Sequence, residues 1–127
     1  MTDETFVCLS RENIVHAMNL NPSPFEKIKT GQKTIELRLF DEKRQKIKSG
    51  DTIAFTNTDT SEKLTATVVK LHRFDSFEEL YSSLPLLKCG YTAENVDKAA
   101  PSDMKQFYSS EEEKRYGVVG IELFTDI

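Results

Sequence analysis

The sequence predicts an α+β fold: a small mixed β-barrel of about five to six strands, with a short helix after the first strand and a helical insertion before the last. Five segments have the apolar or alternating pattern of strands, and helical patterns are confined to two places between them. The chain shows neither regular strand–helix alternation nor an internal repeat. Its 127 residues suffice for one hydrophobic core and are too few for two domains.

The first strand is predicted over Val15–Leu20, a short apolar run that ends at the turn-forming pair Asn21-Pro22. A short helix follows, with Ser23 as its cap and Pro24 at its first position. Proline suits this position because the N–H that it lacks would have no hydrogen-bond partner within the helix. Gly31 is expected to end this helix, because glycine tolerates the positive φ of a helix terminus.

The second strand, KTIELRLF, alternates cleanly between apolar and polar residues. Ile35, Leu37 and Leu39 point to one side of the strand, which we expect to face the core. Glu36 and Arg38 point to the other side, which we expect to be polar.

Three further strands complete the predicted barrel. They cover Thr52–Thr56, Leu64–Phe74 and Val118–Phe124, and a polar hairpin loop joins the first two of them. Gly120 lies inside the last strand and indicates either a bulge or a close approach of another segment.

The stretch before the last strand has helical patterns. Ser76 is predicted to cap a helix over Phe77–Leu84, since Glu79 follows it at the spacing of a capping box. Three more helical segments are predicted to begin at Thr92, at Ser102-Asp103, and at Ser109 or Ser110.

The sequence also disfavours several classes of protein. No apolar run is long enough for a membrane-spanning helix, and the N-terminus lacks the pattern of a secretory signal. Cys8 and Cys89 are far apart and near no cluster of metal ligands, so we expect neither a disulfide nor a metal site. No glycine-rich phosphate loop is present, so no cofactor is predicted. We interpret residues 1–13 as an N-terminal extension to a cytoplasmic domain over residues 14–127.

Charge is distributed unevenly along the chain. Residues 26–48 contain eight basic and four acidic side chains, whereas the remainder contains nine basic and seventeen acidic ones. This polarity favours an anionic ligand at one face. A solvated, lysine-rich hairpin region would explain the same counts.

Several short motifs resemble the ASCH domain family, which is related to PUA domains. The first is a short helix that runs into Gly31-x-Lys33-x-x-Glu36-x-Arg38, written PFEKIKTGQKTIELR in full. The others, which extend the resemblance over roughly residues 14–124, are Lys48-x-Gly50-Asp51, Asp103-Met104, Tyr108-Ser109 and Tyr116-Gly117-Val118-Val119-Gly120-Ile121.

The resemblance implies a PUA-like β-barrel whose cleft borders the signature strand and the helical insertion. Such domains are proposed to hold RNA, nucleotides or modified nucleosides. Some bacterial relatives hydrolyse the amide of acetylated cytidine with a lysine, a threonine and a glutamate, and another relative is described as a ribonuclease. Lys33 matches that lysine, whereas Glu36 stands where the hydrolases have the threonine.

The residues singled out for ligand contact begin with Lys33, Glu36 and Arg38. A carboxylate accepts hydrogen bonds from base amines, and an arginine offers a planar set of donors to phosphate or carbonyl oxygens. Strict alternation would send Lys33 to the face opposite Glu36. We therefore predict that Lys33 lies in the turn after Gly31, before the regular strand begins.

Tyr108, Ser109 and Tyr116 are expected on the opposite wall of the cleft. Tyrosine supplies both a stacking ring and a hydroxyl, and Phe25 and Tyr91 are further stacking candidates. Ser109 is also placed to cap the last helix, which is the commoner role for such a serine.

The sequence thus predicts a small binding module for RNA or a nucleotide-like or nucleoside-like ligand. One alternative is a hydrolase of modified nucleosides or RNA that uses Lys33 and Glu36, and a second is a regulatory protein-interaction domain acting through the acidic insertion of residues 75–115. Charge reversal at Arg38 is expected to weaken ligand binding and to change stability by no more than about 1 kcal/mol, as at a surface position.

Overall fold

The computed structural model describes residues 12–126. Its strands are β1 (Val15–Leu20), β2 (Ile35–Leu39), β3 (Thr52–Asn57), β4 (Lys63–Phe74) and β5 (Val118–Phe124). They form one sheet in the order β1-β3-β4-β5-β2, in which β1 runs parallel to β3 and all other pairs are antiparallel. The sheet curls into half a barrel, which confirms the α+β prediction. Among the described residues β1 and β2 are its two edges, and no backbone ladder joins them.

Helices occupy the two predicted places. α1 (Pro22–Lys29) lies between β1 and β2, and α2 (Phe77–Ser83) and α3 (Ser110–Tyr116) belong to the insertion between β4 and β5. The segments predicted to begin at Thr92 and Ser102 are not α-helices. They contain short 3-10 turns, at Val96–Lys98 and Pro101–Gln106, and two more such turns occur at Arg44–Lys46 and Leu86–Cys89.

The helix caps were predicted correctly for two of the three α-helices. Ser76 accepts a hydrogen bond from the backbone N–H of Glu79, and Ser109 accepts one from that of Glu112. The start of α1 was predicted wrongly, because Asn21 rather than Ser23 is its N-cap residue. The first turn of a helix leaves its N–H groups unpaired, so it accommodates both Pro22 and Pro24.

The second strand of the chain, β2, is covered on both faces. Ile35, Leu37 and Leu39 pack against the helical insertion in a cluster that includes Phe77 and Leu80. On the other face, Glu36 lies beside Ile121 of β5, which belongs to the main core. Glu36 and Arg38 share this polar face as predicted, but the face is largely buried, because it borders the main hydrophobic core of the sheet.

Gly120 of β5 marks a close approach rather than a bulge. A Cβ built there would lie 2.6 Å from Leu84 Cδ1 and 3.1 Å from Ile35 Cγ2. The side chain of Leu84, which follows α2 in the helical insertion, therefore packs directly on the glycine. The sheet irregularity is in β4 instead, between Val68 and Lys70, where the register with β5 shifts.

Two of the sequence predictions concern termini and membranes. The predicted extension, residues 1–13, falls almost entirely outside the described residues, as does Cys8. Within residues 12–126, no helix combines the length and the apolar character that crossing a membrane requires.

Candidate ligand-binding site

A cavity of about 520 Å³ opens between the two edge strands of the sheet. Its walls come from the end of β1, the start of α1, the segment from Lys33 to Arg38, and the helical insertion. Ligand cavities in proteins commonly measure a few hundred to about 1,000 Å³, so this one has the size of a small-molecule site.

The position of Lys33 is set by the turn between α1 and β2. Gly31 has a φ of 86°, and the backbone N–H of Lys33 donates to the carbonyl of Lys27 at 2.9 Å. The strand begins only at Ile35, so Lys33 lies in the turn, as predicted. The stem of Lys33 packs on Gly90, where an added Cβ would lie 3.3 Å from Lys33 Cδ.

Lys33, Glu36 and Arg38 form a compact charged cluster at one wall of the cavity. Lys33 Nζ lies 2.7 Å from Glu36 Oε1, and Arg38 Nε donates to Glu36 Oε2 at 2.7 Å. The side chains are 10%, 5% and 15% exposed, respectively, so the cluster is largely removed from water. Arg38 Nη2 also donates to the carbonyl oxygen of Asn19 on β1 at 2.8 Å.

The carboxyl group of Glu36 is held in its ionised form by this cluster. Burial alone would raise the pKa of Glu36, but attraction to Lys33 and Arg38 outweighs it and lowers the pKa below its ordinary value of 4.5. Glu36 is therefore a poor proton acceptor, and its physical effect is to fix the two cations in place.

The cavity wall carries an excess of positive charge. Lys27, Lys33 and Arg38 face a single carboxylate, that of Glu36. Lys27 Nζ is anchored by donating to the carbonyl oxygen of Gly90 at 2.8 Å. Because an ammonium group has three donors, Lys27 retains hydrogen-bonding capacity for an anion.

An aromatic wall stands at the insertion side of the cavity. The ring of Tyr108 stacks on the buried Phe77 with centroids 6.0 Å apart, and the ring of Phe107 is tilted against Tyr108 at 6.3 Å. Phe107 is 56% exposed, which is unusual for a phenylalanine and leaves its ring available at the rim. Burial raises the pKa of the Tyr108 hydroxyl, so this group remains protonated at neutral pH.

A hydrogen-bonded relay of two tyrosines and one aspartate adds a second polar feature. Tyr91 Oη donates to Asp103 Oδ2 at 2.7 Å, and the hydroxyls of Tyr81 and Tyr91 are 2.7 Å apart. An ionised carboxylate can only accept, so the Tyr91 proton is committed to Asp103, and Tyr81 must donate to Tyr91. Tyr81 Oη therefore offers only acceptor lone pairs to any other partner.

Comparison with known proteins decides the family. A family model of the ASCH domain matches residues 18–127. The chain belongs to the ASCH domain family. A search of curated proteins finds no match.

Two solved structures resemble this ASCH domain in both sequence and fold. The hypothetical protein PH0355 is 34% identical with a TM-score of 0.73, and the comparison covers 88% of this chain and 99% of that one. Protein PF0455 from Pyrococcus furiosus, solved by NMR in solution, is 33% identical with a TM-score of 0.68, over 87% and 96% of the two chains. The ASCH protein from Zymomonas mobilis shares the fold at 13% identity, with a TM-score of 0.61. That comparison covers 87% of this chain and 66% of the Zymomonas mobilis chain.

The structure brings four of the six sequence-selected site residues of the ASCH domain together. Lys33, Glu36, Arg38 and Tyr108 all line the cavity. Ser109 is exposed and caps α3, with Glu112 Oε1 accepting from its backbone N–H at 3.0 Å. Tyr116 lies at a separate concavity, and its hydroxyl donates to Glu42 Oε2 at 3.4 Å. Among the other stacking candidates, Tyr91 lines the cavity, whereas Phe25 is fully buried in the core.

Sequence reasoning missed Lys27, Tyr81 and Phe107, which also line the cavity. Tyr81 follows the helical spacing of the buried Phe77 and Leu80, so its pattern is indistinguishable from that of a core residue. Lys27 had a usable signal, because it follows Pro24 by three residues on α1 and shortly precedes the turn at Gly31-x-Lys33. The backbone N–H of Lys33 in that turn donates to the carbonyl of Lys27.

The remaining candidates for chemistry have structural partners. Burial raises the pKa of the Cys89 thiol to about 11, so it is not an activated nucleophile. His16 Nε2 lies 2.8 Å from Asp51 Oδ2, and His72 Nε2 lies 2.9 Å from Glu122 Oε1. Within the part of the chain that the structure describes, no group of three or more His, Cys, Asp or Glu side chains is arranged to hold a metal ion.

Proposed function

We propose that this ASCH domain binds RNA or a nucleotide-like ligand in the cavity between β1 and β2. The observation that supports this most strongly is the buried Lys33–Glu36–Arg38 cluster, which holds two cations at the wall of a cavity that also has an aromatic side. A nucleotide combines an anionic phosphate with a flat base, and this cavity offers a partner of the right chemistry to each.

The phosphate would be held by the basic wall. Arg38 has its Nε and Nη2 committed to Glu36 and Asn19, so its orientation is fixed before a ligand arrives. Such pre-organisation reduces the side-chain entropy lost on binding. Lys27 and Lys33 add two further charges around the same space.

The base would stack against the aromatic wall. Phe107 presents an exposed ring at the rim, and stacking on an aromatic side chain contributes about 1–3 kcal/mol per base. Tyr81 is placed to accept a hydrogen bond from a donor of the ligand, such as an exocyclic amine or a ribose hydroxyl. Together these contacts favour a nucleotide over a simple inorganic anion.

The hydrolase alternative receives less support from this geometry. Glu36 would have to accept a proton from an attacking water, but its lowered pKa and its two cationic neighbours make it a weak base. The same contacts suit a residue that positions Lys33 and Arg38. A turnover assay on acetylated cytidine, with Lys33→Ala as the comparison, tests the alternative directly.

The experiment that tests the proposal compares two lysines of one helix. Isothermal titration with nucleoside monophosphates and short single-stranded RNAs should show binding that Lys27→Ala weakens at least several-fold. Lys29→Ala is the matched control, since Lys29 is on the same helix turn but pairs with Glu62 at the surface. No binding of any of these ligands, or equal loss in both variants, would overturn the proposal. A contact with an apolar protein surface would show little of the steep salt dependence expected of phosphate binding.

A further inference from the structure

A second concavity of about 550 Å³ lies beside the ends of β4 and α3 and the start of β5. We call it the basic groove, and its residues are Phe40, Arg73, Phe74, Asp75, Lys114, Arg115, Tyr116, Gly117 and Val118. Among the lining residues, Arg73, Lys114 and Arg115 supply three cations and Asp75 one carboxylate, while the carboxylate of Glu42 contacts the Tyr116 hydroxyl. Within residues 12–126 none of these three cations forms an ion pair.

Two arginines of the basic groove lie over aromatic rings. The guanidinium carbon of Arg73 is 4.2 Å from the centre of the Phe40 ring, and that of Arg115 is 5.1 Å from the centre of the Tyr116 ring. A guanidinium held against a ring face keeps its N–H edges directed outward, where they can donate to phosphate oxygens. Its outer plane can also stack on an unpaired base.

The basic groove and the cavity are linked by one row of the sheet. Arg73 on β4 is paired with Val119 on β5, and Val119 is paired with Arg38 on β2. Paired residues point to the same face, so Arg73 and Arg38 project from one face, two strand spacings or about 10 Å apart. Val119 between them is fully buried, so the two arginines lie near one another on either side of core side chains.

We propose that the basic groove binds the phosphate backbone of a single-stranded RNA, another nucleotide of which occupies the cavity, an inference that rests on the function proposed above. RNA is favoured over an acidic peptide because the cations are combined with aromatic rings and guanidinium planes, which suit phosphates and unpaired bases together. A ligand that occupies both the groove and the cavity has to be a strand rather than a mononucleotide.

The test compares a nucleoside monophosphate with a single-stranded RNA of about six nucleotides, measured by fluorescence anisotropy and calorimetry. The double variant Lys114→Ala/Arg115→Ala removes two exposed charges from the groove. It should weaken binding of the oligonucleotide roughly tenfold, leave binding of the monophosphate unchanged, and reduce the salt slope by about 0.7 for each phosphate that the variant no longer neutralises. Lys63→Ala/Lys70→Ala removes the same net charge from exposed positions of β4 outside both concavities and should change neither affinity.

The outcomes separate this inference from the cavity assignment. If the monophosphate binds and the groove variant keeps full affinity for the oligonucleotide, the groove inference is overturned. If the monophosphate does not bind but the oligonucleotide depends on Lys114 and Arg115, the cavity assignment fails, and only the binding of RNA by the groove stands. Competition by oligo-glutamate as effective as competition by RNA would overturn the choice of an RNA strand.

Discussion

Arg38 on one edge strand of the sheet donates a 2.8 Å hydrogen bond from Nη2 to the carbonyl oxygen of Asn19 on the other edge strand. No backbone ladder joins β1 and β2 in the described structure, so this contact spans the open side of the half-barrel. The same guanidinium holds Glu36 through Nε. One side chain thus links the two edges of the sheet and orders the charged wall of the cavity.

Substitution of Arg38 should therefore cost stability as well as binding. Arg38→Glu places a second carboxylate beside the buried Glu36 and removes the hydrogen bond to Asn19. Removing one partner of a buried ion pair typically costs about 3–5 kcal/mol. We expect a loss near the lower end of that range, because Arg38 is 15% exposed and Lys33 still faces Glu36. Urea unfolding at pH 7 measures it.

Arg115→Ala is the control for this loss of stability. Arg115 is exposed, and we expect a change of no more than about 0.5 kcal/mol. A similar small change for Arg38→Glu would show that the Glu36 contact contributes nothing to folding, as the sequence-based expectation of a surface position implied.

The expectation that Arg38 is a surface position was wrong for a physical reason, since its side chain is only 15% exposed. The alternation in β2 shows correctly that Glu36 and Arg38 share a face, because alternation is a local property of the strand. Whether that face is exposed to water depends on Ile121, which lies 85 residues further along the chain and brings the main core beside Glu36. No local pattern reports such a long-range neighbour.

The strands and the Lys33 turn were predictable because they depend on residues that are close together in the sequence. The run Val15–Leu20 and the position of Lys33 depend on adjacent turn residues, notably Asn21 and Gly31. The aromatic wall depends instead on how the 3-10 turns of the insertion pack. Sequence reasoning could place Tyr108 near the cleft only through a family resemblance, and it had no signal for Phe107.

Stability should depend on pH through Glu36. Its pKa is lowered in the folded protein, so its ionisation stabilises the fold fully above its ordinary value of 4.5. That contribution is lost as the pH falls through the lower pKa of the folded state. Glu36→Gln cannot titrate, so the stability difference between wild type and variant should shrink as the pH is lowered from 6 towards 3. A difference that is independent of pH over this range would contradict the shift.

Tyr81→Phe should alter selectivity more than stability. The variant loses the hydrogen bond to Tyr91, which contributes about 1 kcal/mol. It also loses the acceptor that Tyr81 Oη presents. We expect the affinity for ligands with an exocyclic amine, such as cytidine monophosphate, to fall more than the affinity for uridine monophosphate. Calorimetry with both ligands checks this, and an equal effect on the two would show that Tyr81 does not contact the base.

Cys89 should react slowly with thiol reagents until the protein unfolds. Burial leaves it 5% exposed and raises its pKa to about 11, so little thiolate exists at pH 8. A Cys8→Ser variant isolates the signal of Cys89, and its labelling by a disulfide reagent should be far slower in buffer than in concentrated urea. Because Cys89 also lines the cavity, a bound nucleotide should slow the reaction further. Acceleration by the ligand would mean that binding opens the wall formed by the helical insertion.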